Sequence, residues 1–192
     1  MTVLRGLLNL RDAGPDQPQS VTEVLIRPCG ADDASAMHEA VRESLTELIP
    51  WMPWCHPDYS LPEARSWLRI QVQAFNERKW FEFAIVDPDG RYVGQCGLNQ
   101  FDEPNRRCNL GYWVRSSAAR HGVATRAVRL LRDWAFQHTN LARMEVVIAV
   151  GNQASIRVAE KAGAVREGVL RHRLFLHGAP VDAVMFSLVR QP

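Results

Sequence analysis

Gly122 stands between a run of strand formers and a long amphipathic stretch, with Arg115, Arg120 and Arg126 around it. That combination suits a phosphate. A helix start carries unpaired backbone N–H groups and a partial positive charge. A glycine at that point lets an anion approach the backbone closely, and the arginines add formal charge. Upstream, Leu110 to Val114 reads as a strand through Tyr112, Trp113 and Val114. Downstream, Val123, Ala127, Leu130, Leu131 and Trp134 fall on one face of a 3.6-residue period. No Gly-Lys-Ser/Thr follows, and the three-glycine dinucleotide spacing is missing. On the helix pattern alone, a strand–helix connection with a solvated basic face is the simpler reading.

Other chemistry-bearing residues are scattered. The four cysteines, Cys29, Cys55, Cys96 and Cys108, form no C-x-x-C pair, and Cys55-His56 is poor spacing for metal ligands. This fits a reducing, cytoplasmic setting without a metal better than a disulfide scaffold or a zinc site. The chain has 192 residues, 46% hydrophobic and 23% charged, as expected of one globular domain. A formal net charge of +2 gives no footprint for DNA. No apolar run reaches membrane-span length, and the N-terminus lacks a convincing signal-peptide core.

The elements that must position these residues follow from pattern. Residues 1–22 read as an N-terminal extension, with a short strand or amphipathic piece from Val3 to Leu10 and a turn-rich linker from Ala13 to Ser20. Residues 23–192 read as the domain. Glu23 to Arg27 is a first strand, and a helix capped by Asp32 or Asp33 runs to about Thr46. Leu48 to Cys55, LIPWMPWC, is a proline-stiffened apolar loop. Ser60-Leu61-Pro62-Glu63 starts a second helix that buries Ala64, Trp67, Leu68, Val72 and Phe75. Strands Phe81 to Val86, Tyr92 to Asn99 and Arg106 to Val114 form an antiparallel run. The Gly122 helix ends near Thr139, and Arg143 to Val150 is a β-branched strand. A helix from Asn152 to Ala162 stops at Gly163, and two closing strands span Ala164 to Phe175 and Val181 to Val189. No repeat is present.

Arg120-His121-Gly122-Val123-Ala124-Thr125 resembles the acetyl-CoA loop of the GNAT acetyltransferase superfamily, Gln/Arg-x-x-Gly-x-Gly/Ala, except that Ala119 holds the Gln/Arg position. Asn152 to Ala164, with Ser155, Lys161 and Gly163, resembles the second cofactor segment of the same superfamily. Glu47-Leu48-x-Pro50-Trp51-x-Pro53-Trp54 is similar to the acceptor-side segment of the ribosomal-protein N-acetyltransferase (RimJ/RimL-like) branch. The element order agrees over roughly residues 23 to 190. The resemblance implies an α+β fold: a mixed, mostly antiparallel twisted sheet flanked by helices, with a splayed parallel strand pair at the cofactor cleft. It also implies acetyl-CoA on Trp113, Val114, Arg115, Arg120, His121, Gly122, Val123, Ala124, Thr125, Asn152, Ser155 and Lys161. Trp51 and Trp54 would meet the acceptor, an amine of a protein N-terminus, a peptide or a small molecule. A monomer or homodimer is expected.

Acetyl transfer needs a neutral amine, yet an α-amine has a pKa of ~8 and a lysine one of ~10, so a base or water chain is required. The oxyanion needs fixed N–H donors, which the backbone around Trp113 and Val114 supplies in a splayed pair. Ser155 is the expected donor to the leaving thiolate, with Asn152 beside it. Relatives often carry Glu two residues before Gly-Tyr, where this chain has Asn109. Glu103 is therefore the expected base, with Asp102 beside it on the acceptor side; Glu82 and Glu145 are further candidates. No cysteine has an assigned His partner, so direct transfer in a ternary complex is expected. The rival readings are the same chemistry on a small amine, peptide or amine-bearing antibiotic, and an acyl-CoA-binding module without turnover.

Overall fold

Two parallel strands meet near the middle of the sheet and part after three residue pairs. They are β4 (Arg107–Val114) and β5 (Arg143–Ala149), paired from Arg107↔Arg143 to Asn109↔Glu145. This computed structural model describes residues 23–191. The remaining strands are β1 (Leu25–Pro28), β2 (Phe81–Val86), β3 (Tyr92–Asp102), β6 (Val165–Leu176) and β7 (Ala179–Val189). The order across the sheet is β1-β2-β3-β4-β5-β7-β6, and every pair except β4–β5 is antiparallel.

Alternation along the strands sends apolar side chains to both faces. Phe81, Phe83, Ile85, Cys96, Leu98 and Leu110 share a core with Val123, Ala127, Val128 and Leu131 of α4 (Val123–His138) and Ala159 of α5 (Gln153–Lys161). Ala84, Val86, Tyr92 and Trp113 share a second core with Met37, Ala40 and Val41 of α1 (Ala34–Glu43), Leu48 of the one-turn α2 (Leu45–Leu48) and Leu68 of α3 (Leu61–Asn76). The expected fold class and element order are the observed ones.

Local chemistry explains the boundaries. At α3, the Ser60 backbone N–H and hydroxyl both donate to Glu63, at 2.9 and 2.6 Å, with Pro62 in the first turn. The α5 cap is Asn152, whose Oδ1 accepts from Ser155 N at 3.0 Å. The first helix departs from expectation twice. Asp33 does not cap it, because its carboxylate binds Arg27 and the Gly30 N–H instead. Ser44 breaks it, its hydroxyl donating back to the Ala40 carbonyl at 2.7 Å. Trp67, expected to be buried, is 39% exposed. The readings made for residues 1–22 lie outside the described residues.

Candidate active site

Beyond Asn109 and Glu145 the edge of β4 that faces β5 has no strand partner among the described residues, and this edge runs through Leu110 to Val114. Backbone N–H groups there are free to bind an incoming carbonyl. Across the opening lies α5. Tyr112, on β4, places its hydroxyl 2.9 Å from Ser155 Oγ and 3.0 Å from the Ser155 carbonyl oxygen. Burial raises the Tyr112 pKa to about 12, so the phenol stays protonated at neutral pH. Asn152 spends its side-chain oxygen on the Ser155 N–H and so fixes the helix turn that carries the serine. Tyr112 entered the sequence reading only as a strand former. Its partner is distant in sequence and becomes visible only once β4 and α5 are opposed.

The loop from β4 to α4 is held open at its tip and braced at its base. Gly122 is the residue before α4, with φ of 80°, a conformation natural to glycine. A side chain added there would meet nothing within 4 Å, so the helix start is bare. Arg120 and His121 are exposed beside it; Val123 and Ala124 are buried, and Thr125 is partly buried.

Arg115 behaves differently from the expectation of a cofactor contact. It is 3% exposed and turned inward, its Nε donating to Glu43 Oε2 at 2.9 Å and its Nη2 to Glu39 at 2.8 Å. Its guanidinium lies against two carboxylates of α1, so its charge is already neutralised. Ser116 N–H donates to Ser44 Oγ and Ser117 N–H to Glu43. The break in α1 and its acidic end therefore anchor the loop. Lys161 is exposed at the end of α5, where its carbonyl accepts a bond from Arg129.

On the α1–α3 side of the sheet lies a cleft of about 480 Å3. Met37, Met52, Trp54, Tyr59, Trp67 and Ile70 form apolar walls above Glu82, Gln95, Gly111 and Trp113 of the sheet. Trp54 packs on Trp113 and Tyr59, with ring centroids 6.1 and 5.8 Å apart. Trp51, its expected companion, instead sits against Gly151 in the β5–α5 turn and does not line the cleft. The Tyr59 hydroxyl is buried with no hydrogen-bond partner among the described residues.

The carboxylates chosen from sequence fall elsewhere. Glu103 is exposed in the turn between β3 and β4, outside the cleft lining. Asp102 is bonded by Asn105 and paired with Arg107 at 2.9 Å, which holds its pKa below the usual range. Both lie at the end of a hairpin whose opposite end meets the cleft, because β3 runs farther than its sequence pattern implied. Asn109 donates to Asn99 Oδ1 at 3.0 Å, and Glu145 is tied to Arg107 and Arg143. The carboxylates lining the cleft are Glu82 and, bonded to His56, Glu63.

Comparison with known proteins agrees with this geometry. The chain shares 35% identity over 103 residues with Bacillus subtilis YdaF, provisionally named a ribosomal N-acetyltransferase; the match covers 54% of this chain and 56% of YdaF. It shares 24% identity with spermidine N(1)-acetyltransferase of Escherichia coli K12 over 88% of this chain and 87% of that one. The solved structure of Mycobacterium smegmatis RimJ in complex with CoA-disulfide superposes with a TM-score of 0.80 at 27% identity, over 86% of this chain and 81% of that one. The sequence profile of the family described as Acetyltransferase (GNAT) domain matches residues 23–165. With its profile spanning most of the chain and its sheet split after Asn109, the protein belongs to the GNAT acetyltransferase family.

Proposed function

We propose that the chain transfers an acetyl group from acetyl-CoA to a primary amine, and that its acceptor is the N-terminal amine of a ribosomal protein or peptide. The observation that carries this reading is the unpaired edge of β4 opposite the Tyr112–Ser155 pair, with the apolar cleft alongside. The pyrophosphate of acetyl-CoA meets the bare helix start at Gly122, flanked by Arg120 and His121. The thioester carbonyl lies along β4 and takes backbone N–H donors near Trp113 and Val114. The amine enters past Trp54 and attacks the carbonyl carbon; the C–N bond forms, the C–S bond breaks, and a hydroxyl of the Ser155–Tyr112 pair donates to the departing sulfur.

Direct attack is favoured over a covalent acyl-enzyme. All four cysteines are buried and free. Burial holds the Cys96 thiol, beside the cleft, well above its ordinary pKa, so it is a poor nucleophile. Free thiols fit action in the cytoplasm. Residues 23–192 form the catalytic domain on this reading, because β7 lies inside the sheet between β5 and β6.

The ribosomal acceptor is supported by the names carried by YdaF and RimJ. A small-amine acceptor is the second reading, supported by the match to spermidine acetyltransferase. The test is an acceptor panel with acetyl-CoA: peptides with a free N-terminal Ala or Ser, spermidine and phenethylamine. Highest kcat/KM on a peptide is expected. Highest kcat/KM on spermidine would transfer the assignment to the second reading.

A further inference from the structure

One row of residues crosses the floor of the cleft: Glu82 on β2 pairs with Gly97 on β3, and Gly97 pairs with Gly111 on β4. Strands lie ~4.8 Å apart in a sheet, so two glycines leave a bare channel from Glu82 toward β4. Glu82 bends into that channel. A methyl group built on Gly97 would overlap the Glu82 carboxylate, so the missing side chain is what gives the carboxylate its place. Above Gly111 a methyl group would meet nothing within 4 Å. Beyond Gly111 lies the β4 edge that β5 leaves unpaired.

We propose that Glu82 is the catalytic residue that binds the acceptor's ammonium and takes its proton before attack. The proposal rests on the acetyltransferase reading above. Among the described residues no group donates a hydrogen bond to the Glu82 carboxylate, although it lies half-buried on the floor of an apolar cleft. Such a group wants a cation. The titratable groups near it on neighbouring elements are Cys96 and Tyr92 on β3 and Cys29 after β1; Tyr59, Glu63 and Tyr112 line the rest of the same cleft. None is a cation, so the positive charge must come with the substrate.

Desolvation raises the Glu82 pKa to about 8. An α-amine has a pKa of ~8, so proton transfer from a bound α-ammonium to Glu82 is close to thermoneutral. The balance is complete: R–NH3+ gives one proton to the carboxylate, nitrogen bonds to the acetyl carbon, and sulfur leaves to be protonated from the Ser155–Tyr112 side. The second amine proton, lost as the amide forms, restores the hydroxyl that protonated sulfur, and Glu82 returns its proton to solvent. The apolar walls at Met37, Met52, Trp54, Trp67 and Ile70 favour an ammonium carried on an apolar group over a polyamine.

The test has two arms. Calorimetry of phenethylamine binding to the CoA-loaded protein at pH 7, in buffers of different ionisation heat, counts protons released. Wild type is expected to release close to one, because the entering cation displaces the Glu82 proton. Glu82→Gln should release none and bind at least about tenfold more weakly, while neutral 3-phenylpropanol binds both proteins alike. Gly97→Ala, which keeps the carboxylate and displaces it, should give the same losses. In the rate arm, Glu82→Gln should lower kcat/KM by about 10^2- to 10^4-fold and abolish an acid limb near pH 8. Unchanged affinity and proton count in both variants would overturn the proposal. Absence of wild-type turnover would overturn the acetyltransferase reading, leaving the binding arm to judge Glu82.

Discussion

Tyr112 Oη lies 2.9 Å from Ser155 Oγ, so a strand residue and a helix residue 43 positions apart share one hydrogen bond beside the opening of the sheet. Either hydroxyl can donate to a developing thiolate while the other supports it. Ser155→Ala should lower kcat by about tenfold to a thousandfold with acetyl-CoA affinity nearly intact, since the contact strengthens only as charge builds on sulfur. Tyr112→Phe should do likewise, and the double variant should lose less than the sum of the single losses. Steady-state kinetics with calorimetry of CoA binding checks both. A normal kcat in Ser155→Ala would leave it a residue of helix packing.

Gly122 should tolerate little. Gly122→Glu places bulk and negative charge where the pyrophosphate is expected and should weaken CoA binding strongly. Gly122→Ala should weaken it less, with a cost of about 1 kcal/mol from the left-handed backbone. Calorimetry of CoA against folded variants is the check.

Arg115 should act on stability and on loop position. Removing the guanidinium leaves Glu43 and the largely exposed Glu39 facing one another, and Arg115→Ala should destabilise the fold by about 1 to 2 kcal/mol, read by urea unfolding. Glu43 gives the pH dependence. Its hydrogen bond from Arg115 lowers its pKa to about 2, below the unfolded value of ~4.3. A carboxylate lowered by folding stabilises fully above the unfolded pKa and loses that contribution as pH falls through the folded one. Stability should therefore fall between pH 5 and pH 2, and Glu43→Gln should flatten that slope in urea titrations at several pH values.

Glu103→Gln should leave kcat/KM within about twofold of wild type, because the side chain is exposed at the hairpin turn. Trp54→Ala should raise the amine KM while sparing acetyl-CoA affinity, because Trp54 lines the cleft and packs on Trp113. Trp51→Ala, which removes a ring from the β5–α5 turn, should not raise the amine KM. A silent Trp54→Ala would remove the acceptor from this cleft.

The fold was legible because its signals are local. Pattern alone located β2, the capping box of α3, the Asn152 cap and the Gly163 stop. The loop at Gly122 was legible for the same reason: it lies within one strand–loop–helix unit. What failed depended on direction and register. Arg115 in a basic loop reads as a phosphate contact, and only the placement of α1 turns it inward. Trp67 lies on an apolar helix stripe, yet that stripe borders a cleft as well as a core. Glu82 in FEFAIV is one of several candidate bases in the sequence, and only the β2–β3 register, which sets it opposite a glycine, separates it from Glu103 and Glu145. Glu103 failed because nearness in sequence to β4 is not nearness to the end of β4 that meets the cleft.

The central claim is acetyl transfer to an amine, and its most direct measurement is CoA thiol release from acetyl-CoA, with and without amine, alongside the mass of the amine product. The account predicts thiol release that depends on amine and matches acetylated amine mole for mole, with no acetyl group left on the protein. Tight CoA binding without amine-dependent release, across peptides and small amines alike, would contradict it and leave an acyl-CoA-binding module in its place.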